Sequence, residues 1–215
     1  MDIKDLPLPA FFREHYTKFS SLTPIQKKAV DAGLLQGTSL LICAPTASGK
    51  TLVATMAMAN TIGKGKVIYL VPLKALANEK YKEFKQLLEK TDHKAMISIG
   101  DVDSDSGYLS RYDVLVLTTE KLDSLMRHHV PWLREVKAVV IDEIHLLNDP
   151  SRGPTLEIIL TLLKTMIKPQ LIGLSATIGN PQQLADWLEA TLVQDTWRPV
   201  ELKQGIYHDD KIEFY

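Results

Sequence analysis

Six short apolar runs alternate with segments of helical periodicity, and this alternation constrains the possible folds more than any other feature of the sequence. Each run is almost continuously apolar, which is typical of strands that helices cover on both faces. The runs lie at residues 39–43, 67–71, 96–99, 113–118, 138–141 and 170–174. Helical segments are predicted at 24–35, 52–60, 75–88, 154–167 and 181–190. This order predicts an α/β fold with a doubly wound, mainly parallel sheet and helices on both faces.

Turn and capping residues mark some of the element boundaries. Thr23 is a predicted N-cap and is followed by a proline at the first helical position. Asn180 is a predicted cap of the helix that follows it. Asp, Ser and Gly are crowded together at 101–107, which predicts a loop.

The composition is that of an ordinary globular protein. The 215 residues are 45% hydrophobic and 24% charged, which excludes disordered tails and disulfide scaffolds. No apolar run approaches the roughly 18 residues that span a bilayer, and the N-terminus lacks a signal-peptide pattern, so we expect a cytoplasmic protein without membrane contact. The formal charge of −1 provides no global basic field, so any binding to nucleic acid must be local. The single cysteine, Cys43, is expected to be buried as a small hydrophobic residue.

A candidate phosphate-binding loop follows the first predicted strand. It consists of Ala44, Pro45, Thr46, Ala47, Ser48, Gly49, Lys50 and Thr51. This is the phosphate-loop pattern with alanine at the first glycine position, and it has the strand, loop and helix order that the pattern requires. Gly49 lets the backbone approach phosphates, Lys50 supplies a full charge, and Thr51 offers a hydroxyl oxygen to Mg²⁺. The alternative is a helix start whose small residues serve only the turn.

Two acidic residues end another predicted strand. Asp142 and Glu143 directly follow the run at 138–141, and His145 lies two residues further on. In nucleotide hydrolases, an acidic residue at a strand end completes the Mg²⁺ shell and a neighbouring carboxylate orients the attacking water. We therefore assign Asp142 to the metal and Glu143 to general-base catalysis, with Lys50 as the third catalytic residue. The alternative for the acidic pair is helix capping. His145 either transmits the nucleotide state or is a partly buried histidine with its own hydrogen-bond partners.

Together these residues resemble the first motor lobe of superfamily 2 helicases of the DExH type, with DEIH spelled at 142–145. The resemblance implies a RecA-like P-loop NTPase lobe that binds ATP and Mg²⁺. The segment 23–26 is similar to the family's Q motif, in which a glutamine, here Gln26, recognises the adenine. The alternative, which is compatible with the first, is a capping box in which Gln26 bonds back to the Thr23 amide.

Further segments match family motifs in the family's order. Residues 72–77 resemble motif Ia and residues 118–122 resemble motif Ib, which in the family contact the backbone of a nucleic-acid strand. The implied nucleic-acid contacts are Pro72, Lys74, Ala75, Gly100, Asp101, Thr118, Thr119 and Lys121. The alternatives are a plain amphipathic helix start at motif Ia and Thr119 as an ordinary N-cap at motif Ib. The segment 175–177 resembles motif III, which couples the nucleotide site to strand movement. The implied coupling residues are His145, Ser175, Ala176 and Thr177.

Four segments suggest the archaeal Hjm-type DNA repair helicases, relatives of the Ski-like RNA helicases, as the nearest branch. They are residues 100–104, 121–125, 152–157 and 197–200. The resemblance implies an ATP-dependent 3′–5′ DNA helicase that acts on single-stranded or forked DNA in repair or recombination. Residues 1–198 then form the ATP-binding lobe, and residues 199–215 form an edge strand or linker toward a second RecA-like lobe, normally in the same polypeptide.

We expect a monomeric fragment with little turnover of its own, because no arginine matches the position of the family's arginine finger. Three alternatives remain. The first is an RNA helicase lobe of the Ski-like branch, which shares much of the pattern. The second is a module that binds nucleotide or nucleic acid without hydrolysis. The third is a small nucleotide kinase, in which the DEIH and Ser-Ala-Thr segments would have no role.

Overall fold

Seven strands form the central sheet of the structure, which is a computed structural model describing residues 1–19, 21–100, 106–200, 203, 205–208 and 211–214. They are β1 (Leu40–Cys43), β2 (Lys66–Val71), β3 (Ala95–Ser98), β4 (Val114–Thr118), β5 (Val136–Ile141), β6 (Gln170–Ser175) and β7 (Thr191–Gln194). Their order across the sheet is β3-β4-β2-β5-β6-β1-β7, and each neighbouring pair is parallel. The predicted doubly wound α/β fold is confirmed.

Helices cover both faces of this sheet in the described part of the chain. They are α1 (Ala10–His15), α2 (Pro24–Asp31), α3 (Lys50–Thr61), α4 (Lys74–Leu88), α5 (Thr119–Arg127), α6 (Gly153–Leu162) and α7 (Pro181–Leu188). Helical periodicity predicts five of these helices but neither α1 nor α5. Helix α2 ends earlier than predicted, because Gly33 adopts a left-handed φ of 93° before a short 3₁₀ turn at Leu34–Gln36. Helix α6 continues as a π-helical turn, Leu163–Ile167, within the predicted helical range.

The strands alternate their side chains between two hydrophobic cores. In β1, Leu40 and Ile42 belong to the core that contains residues of α1 to α4, whereas Leu41 and Cys43 belong to the core that contains residues of α5 to α7. This alternation follows from the two-residue period of a strand. Because both faces are buried, the strands appear in the sequence as continuous apolar runs.

Three local expectations need correction. Asn180 occupies the N-cap position of α7, but its side chain donates to Gln183 Oε1 at 3.2 Å and makes no capping hydrogen bond. Residues 101–105 of the predicted loop lie outside the described residues. Its last residue, Gly107, lies in a 3₁₀ helix, Ser106–Arg111. Thr118, rather than Thr119, caps α5, because its hydroxyl oxygen accepts a hydrogen bond from Lys121 N at 3.4 Å.

Residues 199–215 were expected to form an edge strand or a linker, and the strands described there do not join the main sheet, so the linker alternative stays a prediction. Two short strands, β8 (Gly205–His208) and β9 (Lys211–Phe214), pair with each other in an antiparallel hairpin. The edge of the main sheet next to β1 is formed by β7 instead. The lobe boundary at residue 198 stays a prediction. Among the described helices, none has the length and apolar character needed to cross a membrane.

Candidate active site

The predicted motifs converge because their strands run in the same direction. Strands β1, β2, β4, β5 and β6 are parallel, so the segments that follow them emerge at one edge of the sheet. In open α/β sheets this carboxyl edge is where ligands bind. The backbone links two of the motifs directly, since Ala44 N donates to Ser175 O at 3.3 Å. The phosphate-loop segment therefore begins in contact with the motif III segment.

The phosphate-loop segment folds into a tight turn before α3. Ala47 has a φ of 65° and Gly49 a φ of 96°, so both lie in the left-handed region. A non-glycine residue in this region is strained, and such residues cluster at functional sites. Ser48 lies between them and is buried, and its Oγ has no hydrogen-bond partner in the described part of the chain. A buried Ser48 hydroxyl without a partner among the described residues, next to the N-terminus of α3, fits a loop that binds an anionic ligand.

Lys50 is held by the loop itself. Its Nζ donates to the backbone oxygen of Ala44 at 2.5 Å and to that of Pro45 at 2.9 Å. Burial lowers the pKa of the Lys50 ammonium, and the nearby carboxylates of Glu143 and Asp142 oppose that shift. The structure therefore brings the loop lysine into the electrostatic reach of the DEIH carboxylates, although β6 lies between their strands.

Gln26 joins α2 to the phosphate-loop segment. Its Oε1 accepts a hydrogen bond from Thr23 N at 2.9 Å, which is the back-bonding expected in a capping box. Its Nε2 donates to Gly49 O at 3.1 Å, and Thr23 Oγ1 donates to Ser48 O at 2.9 Å. Gln26 is 4% exposed. Contact of Gln26 with adenine stays a prediction.

The DEIH segment begins with a carboxylate whose two oxygens each accept a hydrogen bond. Asp142 Oδ2 accepts from the Tyr69 hydroxyl at 3.1 Å, and Oδ1 accepts from Glu143 N at 3.1 Å. Burial raises the pKa of Asp142, and the Tyr69 hydrogen bond opposes the rise. Burial also raises the pKa of Tyr69 well above its usual value, and the negative charge of Asp142 adds to this rise.

Glu143 and His145 lie beside each other at the turn that follows β5. Glu143 has a left-handed φ of 52°, and its Oε2 is 3.3 Å from His145 Nδ1. This contact has the distance of an ion pair but not the geometry of a hydrogen bond, so Nδ1 is buried without a hydrogen-bond partner in the described residues. Ser175 Oγ is also buried without one. Among the predicted coupling residues, Ala176 is partly exposed and Thr177 is exposed. Their coupling role stays a prediction.

The donor set at this edge fits Mg²⁺ held together with a nucleotide. Thr51 offers a hydroxyl and Asp142 a carboxylate, which are the hard oxygen ligands that Mg²⁺ prefers. The described residues contain no group of three or more His, Cys, Asp and Glu side chains that could hold a metal alone. Mg²⁺ commonly binds through one or two protein oxygens with waters and phosphates, so a site of two donors is sufficient.

The predicted nucleic-acid residues differ in accessibility. Lys74 and Ala75 are exposed at the start of α4, and Pro72 and Thr119 are partly exposed. Gly100 is partly exposed, whereas Asp101 lies outside the described residues. Thr118 is buried in its capping role, and Lys121 is only 5% exposed. Contact of Lys121 with a phosphate would therefore require its side chain to move. These contacts stay predictions.

Two residues beside the site were absent from the predicted set. Tyr69 was predicted only as part of the apolar strand at 67–71. Nothing in the sequence indicates its hydrogen bond to Asp142. Arg152 lines a small cavity together with Pro72, Thr119, Asp142 and Glu143. In the sequence, Arg152 was noted only within the segment 152–157 that suggested the family branch, and it was given no role at the site. The cavity connects the motif Ia and Ib segments with the DEIH carboxylates.

Comparison with known proteins agrees with this geometry. The family model described as DEAD/DEAH box helicase matches residues 23–184. Among curated relatives, proteins named ATP-dependent DNA helicase Hel308 are 54% identical in Methanocaldococcus jannaschii, 47% in Pyrococcus horikoshii and 45% in Thermococcus kodakarensis. These alignments cover 90%, 97% and 100% of this chain, but only 17%, 29% and 20% of the respective relatives.

The solved structures give the same result for the fold. A crystal structure of DUF1998 helicase MrfA bound to DNA has a TM-score of 0.76 at 25% identity and covers 91% of this chain and 31% of that one. A structure of MrfA described without DNA has a TM-score of 0.77 at 26% identity, covering 88% of this chain and 33% of that one. The predicted family is confirmed, and so is the likeness to archaeal DNA helicases of this group. The chain belongs to the DEAD/DEAH box helicase family.

Proposed function

We propose that this chain is the ATP-binding motor lobe of an ATP-dependent helicase that moves 3′ to 5′ on single-stranded or forked DNA in repair or recombination. The observation that carries the proposal is that the phosphate-loop segment after β1 and the DEIH segment after β5 emerge at the same carboxyl edge of the parallel sheet, on either side of β6. The names of the archaeal relatives support DNA as the substrate. The lobe works inside the cell as part of a monomer, together with a second RecA-like lobe supplied by the rest of the polypeptide.

The residues divide the work of hydrolysis. Lys50 exchanges the oxygens of Ala44 and Pro45 for phosphate oxygens of ATP, and the backbone amides of the loop and the Ser48 hydroxyl contribute further donors. Thr51 and Asp142 hold Mg²⁺, which when bound neutralises developing phosphate charge. Glu143 orients the attacking water and accepts its proton. Gln26 contacts the adenine from its position against Gly49.

Contact with the DNA strand is assigned to the motif Ia and motif Ib segments. We assign one backbone phosphate to the N-terminus of α4, where Lys74 is exposed, and the next phosphate to Thr119, which is partly exposed. Pro72, Thr119 and the DEIH carboxylates line the same small cavity, so movement of the bound DNA strand can affect the nucleotide site over a short distance. His145 and the motif III residues couple the state of the bound nucleotide to movement along the DNA strand.

The test combines nucleotide binding with turnover. Lys50→Ala should weaken Mg·ATP binding by about 1.5–3 kcal/mol, the usual range for charge-assisted hydrogen bonds. Lys64→Ala is the matched control, because Lys64 is an exposed lysine beyond the end of α3. Equal affinities of the two variants would contradict the loop assignment.

The catalytic assignment is tested in the longer polypeptide that contains both lobes. Glu143→Gln should reduce DNA-stimulated ATP turnover by about 10²–10⁴-fold without weakening nucleotide binding. Glu79→Gln, at an exposed position on α4, should retain turnover. Stimulation by RNA alone would identify the Ski-like alternative, and nucleotide binding without turnover would identify a binding module.

A further inference from the structure

Tyr69 is a buried tyrosine whose hydroxyl lies next to the DEIH segment. Tyr69 lies in β2 and is 0% exposed. Its hydroxyl donates to Asp142 Oδ2 at 3.1 Å, although 73 residues separate the two in sequence. The contact arises from the parallel register of β2 and β5, in which Tyr69 lies opposite Val140, two residues before Asp142.

The hydrogen bonds to Asp142 leave its carboxylate little freedom to rotate. Oδ2 accepts from the Tyr69 hydroxyl and Oδ1 accepts from Glu143 N, each at 3.1 Å. Each carboxylate oxygen can accept about two hydrogen bonds, so each retains one unoccupied lone pair. Two donors, one in β2 and one in the turn after β5, therefore fix the plane of the carboxylate and leave it able to bind further groups.

The tyrosine ring is itself fixed by packing. It contacts Phe84 of α4 with ring centroids 5.1 Å apart and an interplanar angle of 60°. Phe84 is fully buried, and both rings belong to the same hydrophobic core. Since protein cores are close-packed, burial of both rings restricts movement of the hydroxyl away from Asp142. The donor is therefore preorganised before any ligand arrives.

We propose that Tyr69 is a positioning residue that orients the Asp142 carboxylate for Mg²⁺ bound with nucleotide. The inference rests on the proposed function, because that function assigns Asp142 to the metal. Groups that orient a metal-binding residue typically change metal affinity about 10–100-fold when they are removed. The proposal also links helix α4, which begins at the motif Ia segment, to the metal site through Phe84 and Tyr69.

The experiment measures how strongly Mg²⁺ improves binding of a fluorescent ADP analogue to this chain. Affinity is titrated with Mg²⁺ and with EDTA, and the ratio of the two affinities is the Mg²⁺ effect. Tyr69→Phe keeps the ring and removes only the hydroxyl. We expect it to reduce the Mg²⁺ effect by about tenfold, at the low end of the range for such groups, and to leave the affinity in EDTA unchanged.

Tyr16→Phe is the matched control. Tyr16 is also a buried tyrosine; its ring packs against Phe12 with centroids 4.8 Å apart at 46°, and among the described residues the two hydrogen bonds to Asp142 come from Tyr69 and Glu143 instead. We expect the wild-type Mg²⁺ effect in this variant. An unchanged Mg²⁺ effect in Tyr69→Phe would overturn the inference but not the metal assignment. Loss of affinity in EDTA would also overturn it, because the hydroxyl would then support the fold rather than the metal site.

A double substitution separates action through Asp142 from an independent effect. In Asp142→Asn we expect a much smaller Mg²⁺ effect, and adding Tyr69→Phe should reduce it no further. Additive losses would overturn the inference. Absence of any Mg²⁺ effect in the wild-type chain would instead contradict the metal assignment of the proposed function, and this inference with it.

Discussion

Gln26 Nε2 donates a hydrogen bond to Gly49 O at 3.1 Å and thereby ties helix α2 to the last residue before helix α3. The two groups are packed closely. A Cβ atom added to Gly49 would lie 2.4 Å from Gln26 Nε2 and 3.1 Å from Thr23 Oγ1. Position 49 therefore requires glycine for two reasons, its left-handed backbone and the close approach of the Q-motif side chains.

The two reasons can be separated by comparing Gly49→Ala with the same substitution at a second glycine, Gly63. Gly63 has a similar φ of 85°, but a Cβ there would meet no atom within 4 Å. Gly63→Ala should lower the free energy of unfolding by about 1–2 kcal/mol, from the backbone alone. Gly49→Ala should lower it by about 2–4 kcal/mol, because the clash adds to the backbone strain. Urea denaturation measures both, and equal losses would contradict the close-approach explanation.

Gln26→Ala tests the role of the same contact in nucleotide recognition. The substitution removes hydrogen bonds to Thr23 N and Gly49 O, so we expect a stability loss of about 1–2 kcal/mol. If Gln26 also contacts adenine, the preference for ATP over GTP should fall several-fold. Competition binding measures the preference. Gln36→Ala, at an exposed glutamine, is the control and should retain it. An ATP preference in Gln26→Ala equal to that of the control would leave Gln26 with only its structural role.

The sequence predicted most of the sheet because burial on both faces produces continuous apolar runs. Strand β7 does not produce such a run, since among its four residues only Val193 is buried. Helix α5 was not among the helices predicted from periodicity; its start was considered only through Thr119 as an alternative N-cap, because the segment was interpreted as motif Ib, which contacts nucleic acid. The phosphate-loop and DEIH residues were predictable because their chemistry requires particular residue types at fixed spacing beside a strand.

The contacts between distant segments were not predictable from those patterns. The hydrogen bond between Tyr69 and Asp142 depends on the register of β2 against β5, and the bond between Ala44 and Ser175 depends on β1 lying beside β6. Local spacing contains no information on strand order. Burial of Lys121 likewise follows from the packing of α5, whereas the charge of a lysine suggests exposure.

Cys43, at the end of β1, gives the fold a specific response to alkaline pH. Cys43 is 3% exposed, and burial raises the pKa of its thiol from 9.0 to about 11, against an opposing effect of Lys50. Between these two values the folded chain keeps a proton that the unfolded chain loses, so stability falls as pH rises from about 9 to 11. The contribution of one such group cannot exceed about 1.4 kcal/mol per pH unit.

Cys43→Ala should remove this contribution. We expect the free energy of unfolding of the wild-type chain to fall more steeply between about pH 9 and 11 than that of Cys43→Ala, by up to about 2–3 kcal/mol over the interval. Urea denaturation at several pH values measures both slopes. Burial also raises the pKa of Tyr16 to about 12, but this group is present in both chains and its effect cancels. Parallel slopes would show that the Cys43 thiol ionises as readily in the folded chain as in the unfolded one, which its burial at the base of the phosphate loop argues against.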